Sequence, residues 1–390
     1  MTQTIEATRS AFPHMDQMVY LATCSLAPRS SNVDAAVAEM LGAMSRPALA
    51  WARFEQEIDD LREEISKLIN AKPEQIAFLP NASVCAYQIL EAMTDLHPLE
   101  IVYSHDEFPS IANVWTAEQA RGARSYSMDD EGLQVSLGRR SVDPDQTHAT
   151  LVSVPAVSYL TGRRPNLSKI ATTAREAGAV LAIDAYQALG SVPIDVNALN
   201  CDFLFAGTMK YALGLPGLAF LYVKEPMRWS APALTGWFGR QNPFDFESTK
   251  LDYALDARRF QTGTIAVPSV FSAKAGLMLL SEVTQKDRAA HIANIVDYTA
   301  QKLLVQGEQL VGYQSAGSHG AHVAFLDAEA ETLGQRLAEQ GIITSPRGNA
   351  VRVSCHQYTT TSDIDALCTF LRGYRTHHGG QNDNSIAKSA

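Results

Sequence analysis

Between residues 76 and 223 the chain repeats one pattern: a short, nearly continuous apolar run, then a stretch with helical spacing or turn residues. The runs are Ile76–Leu79, Ile101–Ser104, Ala149–Val154, Ala179–Ile183, Asp202–Ala206 and Leu218–Val223. A strand with one wet face alternates polar and apolar residues. Runs without that alternation read as strands buried on both faces, as in a mainly parallel sheet covered by helices. The helical cover is legible too: from Phe54 to Ala71, apolar Ile58, Leu61, Ile65, Leu68 and Ile69 recur at helical spacing with charges between them. The fold class expected is therefore α/β, with a large, mainly parallel mixed sheet flanked by helices and a smaller α+β C-terminal domain. The second domain follows from the sequence beyond Pro268, where a long helical stretch to about Gln306 leads into alternating short strands and helices that end near Arg372. The expected divisions are an N-terminal segment (1–25), a large α/β domain (26–265), a small α+β domain (266–375) and a disordered tail (376–390).

With 390 residues, 46% of them hydrophobic, the chain can bury two cores. Its formal net charge of -10, without a basic block, repels a phosphate backbone, so nucleic acid is not an expected partner. No run approaches the roughly 18 consecutive apolar residues that cross a bilayer. The first residues lack the apolar stretch of a secretory signal, and a cytoplasmic location is expected. The five cysteines are an odd, scattered set with no Cys-x-x-Cys pair, which predicts reduced thiols rather than disulfides or a zinc cluster. No metal is expected.

The chemistry is carried by two consecutive buried runs. Asp184 ends the first, and Lys210 follows the second within Gly207-Thr208-Met209-Lys210-Tyr211. In an open α/β sheet, ligands bind beyond the carboxyl ends of the strands, so Asp184, Gln187 and Lys210 are expected to converge on one cleft. A desolvated lysine condenses with an aldehyde, and an aspartate facing a pyridine nitrogen keeps that nitrogen protonated. Together they suit pyridoxal 5′-phosphate (PLP) held as a Schiff base on Lys210, with Gln187 hydrogen bonding to the ring oxygen. Each residue also has a plain alternative: acids end many strands, and a lysine beside glycines is often a surface turn.

Combined with other segments, these residues resemble the fold-type I PLP enzymes of the class V aminotransferase superfamily, in its cysteine desulfurase and kynureninase branch. The resemblance runs from about Tyr20 to Leu371. It implies that Ser25, in Tyr20-Leu-Ala-Thr-Cys-Ser25, lines the substrate pocket. It also implies that Ala82 and Ser83, at a helix start after Ile76–Leu79, hold the cofactor phosphate with Thr208. A helix N-terminus offers free N–H groups to a dianion, although Ser83 could equally be only a helix cap. Phe108, in Ser104-His-Asp-Glu-Phe108-Pro109, stands where relatives stack a ring on the pyridine. Trp237 and Thr264, in Leu234-Thr-Gly-Trp237-Phe238-Gly239 and Arg259-Phe-Gln-Thr-Gly263-Thr264, resemble segments that reach the phosphate of a neighbouring subunit, which implies a homodimer with shared sites. Arg352, in Val351-Arg352-Val353-Ser354, matches the arginine that grips the substrate α-carboxylate with two parallel hydrogen bonds. Arg347 is the alternative for that role.

Two departures bear on the reaction. The stretch Ile342–Ala350 has no cysteine where desulfurases need a nucleophile, and Cys355 reads as structural. Met209 precedes Lys210, where desulfurases have histidine and kynureninases tyrosine. A thioether relays no proton, so any acid for a leaving group must come from elsewhere, with Tyr211 or Tyr186 as candidates. Lys210 alone suffices for transamination. An aminotransferase acting on a small amino acid is therefore the first expectation, a PLP-dependent β-lyase the second and a racemase or epimerase the third. A non-catalytic PLP-binding protein comes last. No P-loop, dinucleotide-binding glycine motif or serine-hydrolase elbow is present.

Overall fold

The computed structural model describes residues 8–140 and 149–378. Seven strands form the main sheet: β1 (Ile76–Leu79), β2 (Leu99–Ser104), β3 (Arg124–Met128), β4 (Ala149–Pro155), β5 (Val180–Asp184), β6 (Phe203–Gly207) and β7 (Ala219–Val223). They are arranged in the order β1-β7-β6-β5-β4-β2-β3. Pairs from β3 to β6 are parallel, and β7 alone runs against both its neighbours.

The unbroken apolar runs have a simple cause. Successive side chains of a strand point to opposite faces, and here both faces are covered. Val152, Ile183, Leu204 and Phe220 pack into one core cluster with Ile58, Leu61, Ile65 and Val270. Their chain neighbours Leu151, Ala182, Phe203 and Leu221 enter another, with Cys85, Ile89 and Trp115. Helices α1 (Ser31–Met44), α2 (Pro47–Ile69), α3 (Ala82–Ala92) and α4 (Pro109–Ala117) supply part of this cover. The edge strand β3, Arg-Ser-Tyr-Ser-Met, has no buried residue, so it carries no apolar run and escapes sequence reading.

Beyond residue 266 the expected single helical stretch is two helices, α5 (Val267–Ser281) and α6 (Gln285–Val305). Thr284 divides them by capping α6, its side chain accepting from Asp287 N. A three-stranded antiparallel sheet follows, with β8 (His322–Leu326), β9 (Ser345–Arg347) and β10 (Ala350–Ser354) in the order β9-β10-β8. Helices α7 (Ala330–Glu339) and α8 (Thr361–His378) pack against it in a third apolar cluster. The N-terminal segment joins this unit, Val19–Tyr20 pairing with Ile342–Ile343.

Helix α8 corrects the expected start of the tail at 376, because it continues through His378. Arg375 anchors that last stretch by ion pairs to Glu308 and Asp327. The rest of the expected disordered tail, 379–390, lies outside the described residues. Among the described residues no helix is long and apolar enough to cross a membrane.

Candidate active site

Strands β5 and β6 end side by side, and their carboxyl ends open on a cavity of about 260 Å³. It is lined by Asp184, Gln187 and Lys210 from these strand ends, Ala82 and Ser83 from the start of α3, Phe108 from the start of α4, Ser25, and Arg352 from β10. Parallel strands end at the same edge, and the helices that follow them begin there, so strand-end side chains and helix N-termini meet.

Lys210 Nζ stands 4.5 Å from the centre of the Tyr186 ring and 5.6 Å from that of Phe108. Gly207 makes room for this arrangement, since a Cβ there would overlap the Tyr186 phenol. Burial lowers the Lys210 ammonium to a pKa of about 8; the nearby Arg352 and Arg347 push it the same way, against the pull of Cys24 and Asp184. The neutral amine is thus available close to physiological pH. Burial raises the Asp184 carboxyl to about 6, opposed by the Tyr186 backbone N–H and the Lys210 ammonium. Its Oδ1 accepts from Tyr186 N at 2.7 Å.

Arg352 is 2% exposed. Three of its five N–H groups are engaged: Nε with Ser345 O, one terminal nitrogen with Ser345 Oγ and the other with Tyr159 O. One N–H on each terminal nitrogen remains, a pair suited to a carboxylate.

Comparison with known proteins gives this geometry a family. The model for "Aminotransferase class-V" matches residues 35–367. The chain belongs to the class-V aminotransferases. The "Uncharacterized aminotransferase YcbU" of Bacillus subtilis (strain 168) is 32% identical over 360 residues, spanning 92% of this chain and 95% of its own. A kynureninase of Shouchella clausii is 22% identical, spanning 87% and 84%. Among solved structures, the apo cysteine desulfurase of Thermococcus onnurineus NA1 superposes with a TM-score of 0.84 at 19% identity, covering 95% of this chain and 98% of that one.

As a class-V aminotransferase the chain is an enzyme, and its cofactor is PLP. The cavity fits that group. Asp184 meets no cationic side chain in an ion pair among the described residues, although it is buried, and a protonated pyridine nitrogen would supply the missing positive charge. Gln187 Nε2 donates one N–H to Cys24 O at 3.0 Å, so only its second N–H is left for the ring oxygen, and its buried Oε1, an acceptor, has no partner among the described residues. At α3, Asn81 rather than Ser83 is the cap, accepting from Val84 N. The Ser83 hydroxyl is therefore spared from capping, beside the free N–H groups of a helix start, where a phosphate is favoured.

Other expected residues lie elsewhere. Thr208 does not reach the cavity; its hydroxyl contacts the Leu215 and Leu218 carbonyls and ties down the loop between β6 and β7. Trp237 and Thr264, expected at a neighbouring subunit's phosphate, lie outside this chain's own cavity, joined by Trp237 Nε1 donating to Thr264 Oγ1 at 3.3 Å. Tyr211 is fully buried with its hydroxyl 3.3 Å from His322 Nδ1, so of the two phenols considered as acids only Tyr186 lines the cavity. Cys355 is buried, away from the cavity, as expected of a structural thiol. Sequence reading overlooked Tyr159, which packs edge-on against Phe108 with ring centres 5.2 Å apart. It also overlooked Asp106, which Arg163 and Ser158 hold. Their one signal was position, a few residues past the ends of β4 and β2.

Proposed function

We propose that the chain transaminates a small amino acid, with Lys210 carrying the proton. The observation that carries this reading is the single cavity holding a desolvated Lys210 with Asp184 and Arg352, in which Met209 occupies the place before the lysine and offers no acid. PLP supplies the electron sink that stabilises negative charge at the substrate α-carbon. Arg352, through its two remaining N–H groups, holds the α-carboxylate and so orients the bond to be broken. Lys210 Nζ takes the α-proton and hands it on, which requires the neutral amine that burial favours. Asp184 would hold the proton on the pyridine nitrogen, Phe108 would face the ring, and Ala82 and Ser83 would receive the phosphate.

A β-lyase is the second reading, favoured by Tyr159 and Tyr186, two phenols in the cavity able to protonate a leaving group. Incubation of holoenzyme with an amino-acid panel separates the two by mass spectrometry. Pyridoxamine phosphate and a 2-oxo acid in equal amounts are expected, without ammonia, sulfide or an aromatic acid. Release of any of those fragments in stoichiometric amount would replace transamination with elimination.

The working unit proposed is a homodimer. Trp237 lies in an aromatic group with Trp51, Phe244 and Phe246, the last 76% exposed. A cluster of large exposed rings is a common mark of an interface. Phe246→Glu is expected to give monomers by light scattering, where wild type gives dimers. A wild-type monomer would refute the assembly.

A further inference from the structure

Two guanidinium groups line the cavity, and neither is in an ion pair among the described residues. Arg352 is the buried one. Arg347 lies at the tip of the same hairpin, where β9 turns back into β10 through Gly348 at a φ of 60°. Its side chain makes no hydrogen bond among the described residues, and it is exposed at the cavity's rim. The acids nearby do not balance these charges. Asp106 is already paired with Arg163, which it shares with Asp130, and Asp184 faces the other way chemically, towards a cationic ring. Both arginines disfavour the Lys210 ammonium, so both lie within electrostatic reach of the reacting amine.

A monocarboxylic amino acid neutralises only one of these cations. We infer that Arg347 selects substrates with a second anionic group, short acidic amino acids of aspartate or glutamate size. This rests on the reading of Arg352 as the α-carboxylate anchor. A cavity of about 260 Å³ that takes the cofactor as well favours a short side chain. Arg347 forks two N–H groups towards a carboxylate, and its flexible, water-exposed stem costs less to desolvate than a buried cation. Discrimination between a carboxylate and its uncharged amide of about tenfold or more is expected from one charge-assisted contact.

The test uses two non-reacting acids of the same shape, succinate and its monoamide succinamate, bound to holoenzyme and followed by calorimetry at fixed ionic strength. Wild type should bind succinate at least about tenfold more tightly. Arg347→Gln should bring the two together by weakening succinate alone, whereas Arg352→Gln should weaken both. Equal affinities in wild type, no binding of either, or a preference that survives Arg347→Gln would each overturn the inference. If Arg352→Gln leaves succinamate untouched and Arg347→Gln abolishes it, the α-carboxylate anchor is Arg347 and the proposed roles are overturned. The visible absorbance of bound PLP, recorded on the same samples, separates these results from failure of the functional reading: holoenzyme that lacks the band refutes the Schiff base on Lys210 itself.

Discussion

Lys210→Ala should leave a folded protein that binds PLP without a covalent link and turns over its substrate at least about 1000-fold more slowly. In the proposed reaction Lys210 has three tasks that no neighbour can share: forming the covalent link, taking the α-proton and delivering it. Met209 cannot, because a thioether holds no proton, and Tyr211 points into the protein towards His322. The wild-type protein should show a visible absorbance band that borohydride removes, with the adduct on Lys210 by peptide mapping. Retained activity in the variant would assign the chemistry to another lysine. The same side chain sets a pH dependence. Only a neutral amine attacks an aldehyde, and burial lowers this ammonium to about 8, so PLP uptake by apoprotein should accelerate as pH rises through that value and level off above it. A midpoint near the ordinary lysine value of about 10.4 would mean that Lys210 is solvated.

Arg352→Ala should lower kcat/KM for α-amino acids by about 2–5 kcal/mol, roughly 30- to 5000-fold, and change activity towards simple amines little. The difference between the two substrate classes is the informative quantity. Removing the guanidinium also strands Ser345 O, Ser345 Oγ and Tyr159 O, so some loss of stability accompanies the loss of activity and falls equally on both classes. Equal losses with amino acids and amines would make Arg352 a structural tie between β10 and the loop after β4, and nothing more. Arg352→Lys is the milder control. It keeps a charge but not the planar pair of N–H groups, so it should recover only part of the preference.

How much of the site could be read from the chain depends on how each residue is placed. Asp184 and Lys210 were legible because each follows a buried apolar run, and the ends of parallel strands share one edge of the sheet. Arg352 was legible only through the family resemblance of Val351-Arg352-Val353-Ser354, since its strand is buried at every position. Thr208 was not, although it is only two residues from Lys210. Which way its side chain turns is decided by carbonyls at positions 215 and 218, where the loop returns towards β7. Asn81 is the cap, the role weighed as the alternative for Ser83, and so leaves the Ser83 hydroxyl clear of that task. Tyr159, Asp106 and Cys24 sit on loops with no periodic pattern, and only the closing of those loops over the strand ends made them neighbours.

The sequence by itself determined six of the sheet's seven strands and the placing of an acid and a lysine at strand ends, because hydrophobic period and strand-end position are local properties of the chain, while the family rested on the resemblance of several motifs together. Only the tertiary structure decided the charge balance of the cavity: Asp106 is taken by Arg163, Arg352 keeps two N–H groups, and Arg347 stands at the rim without an ion-pair partner among the described residues. Such partnerships join residues separated by up to nearly two hundred positions, as between Arg352 and Tyr159. No local pattern encodes them, because each depends on the distance and direction at which separately folded segments come to rest.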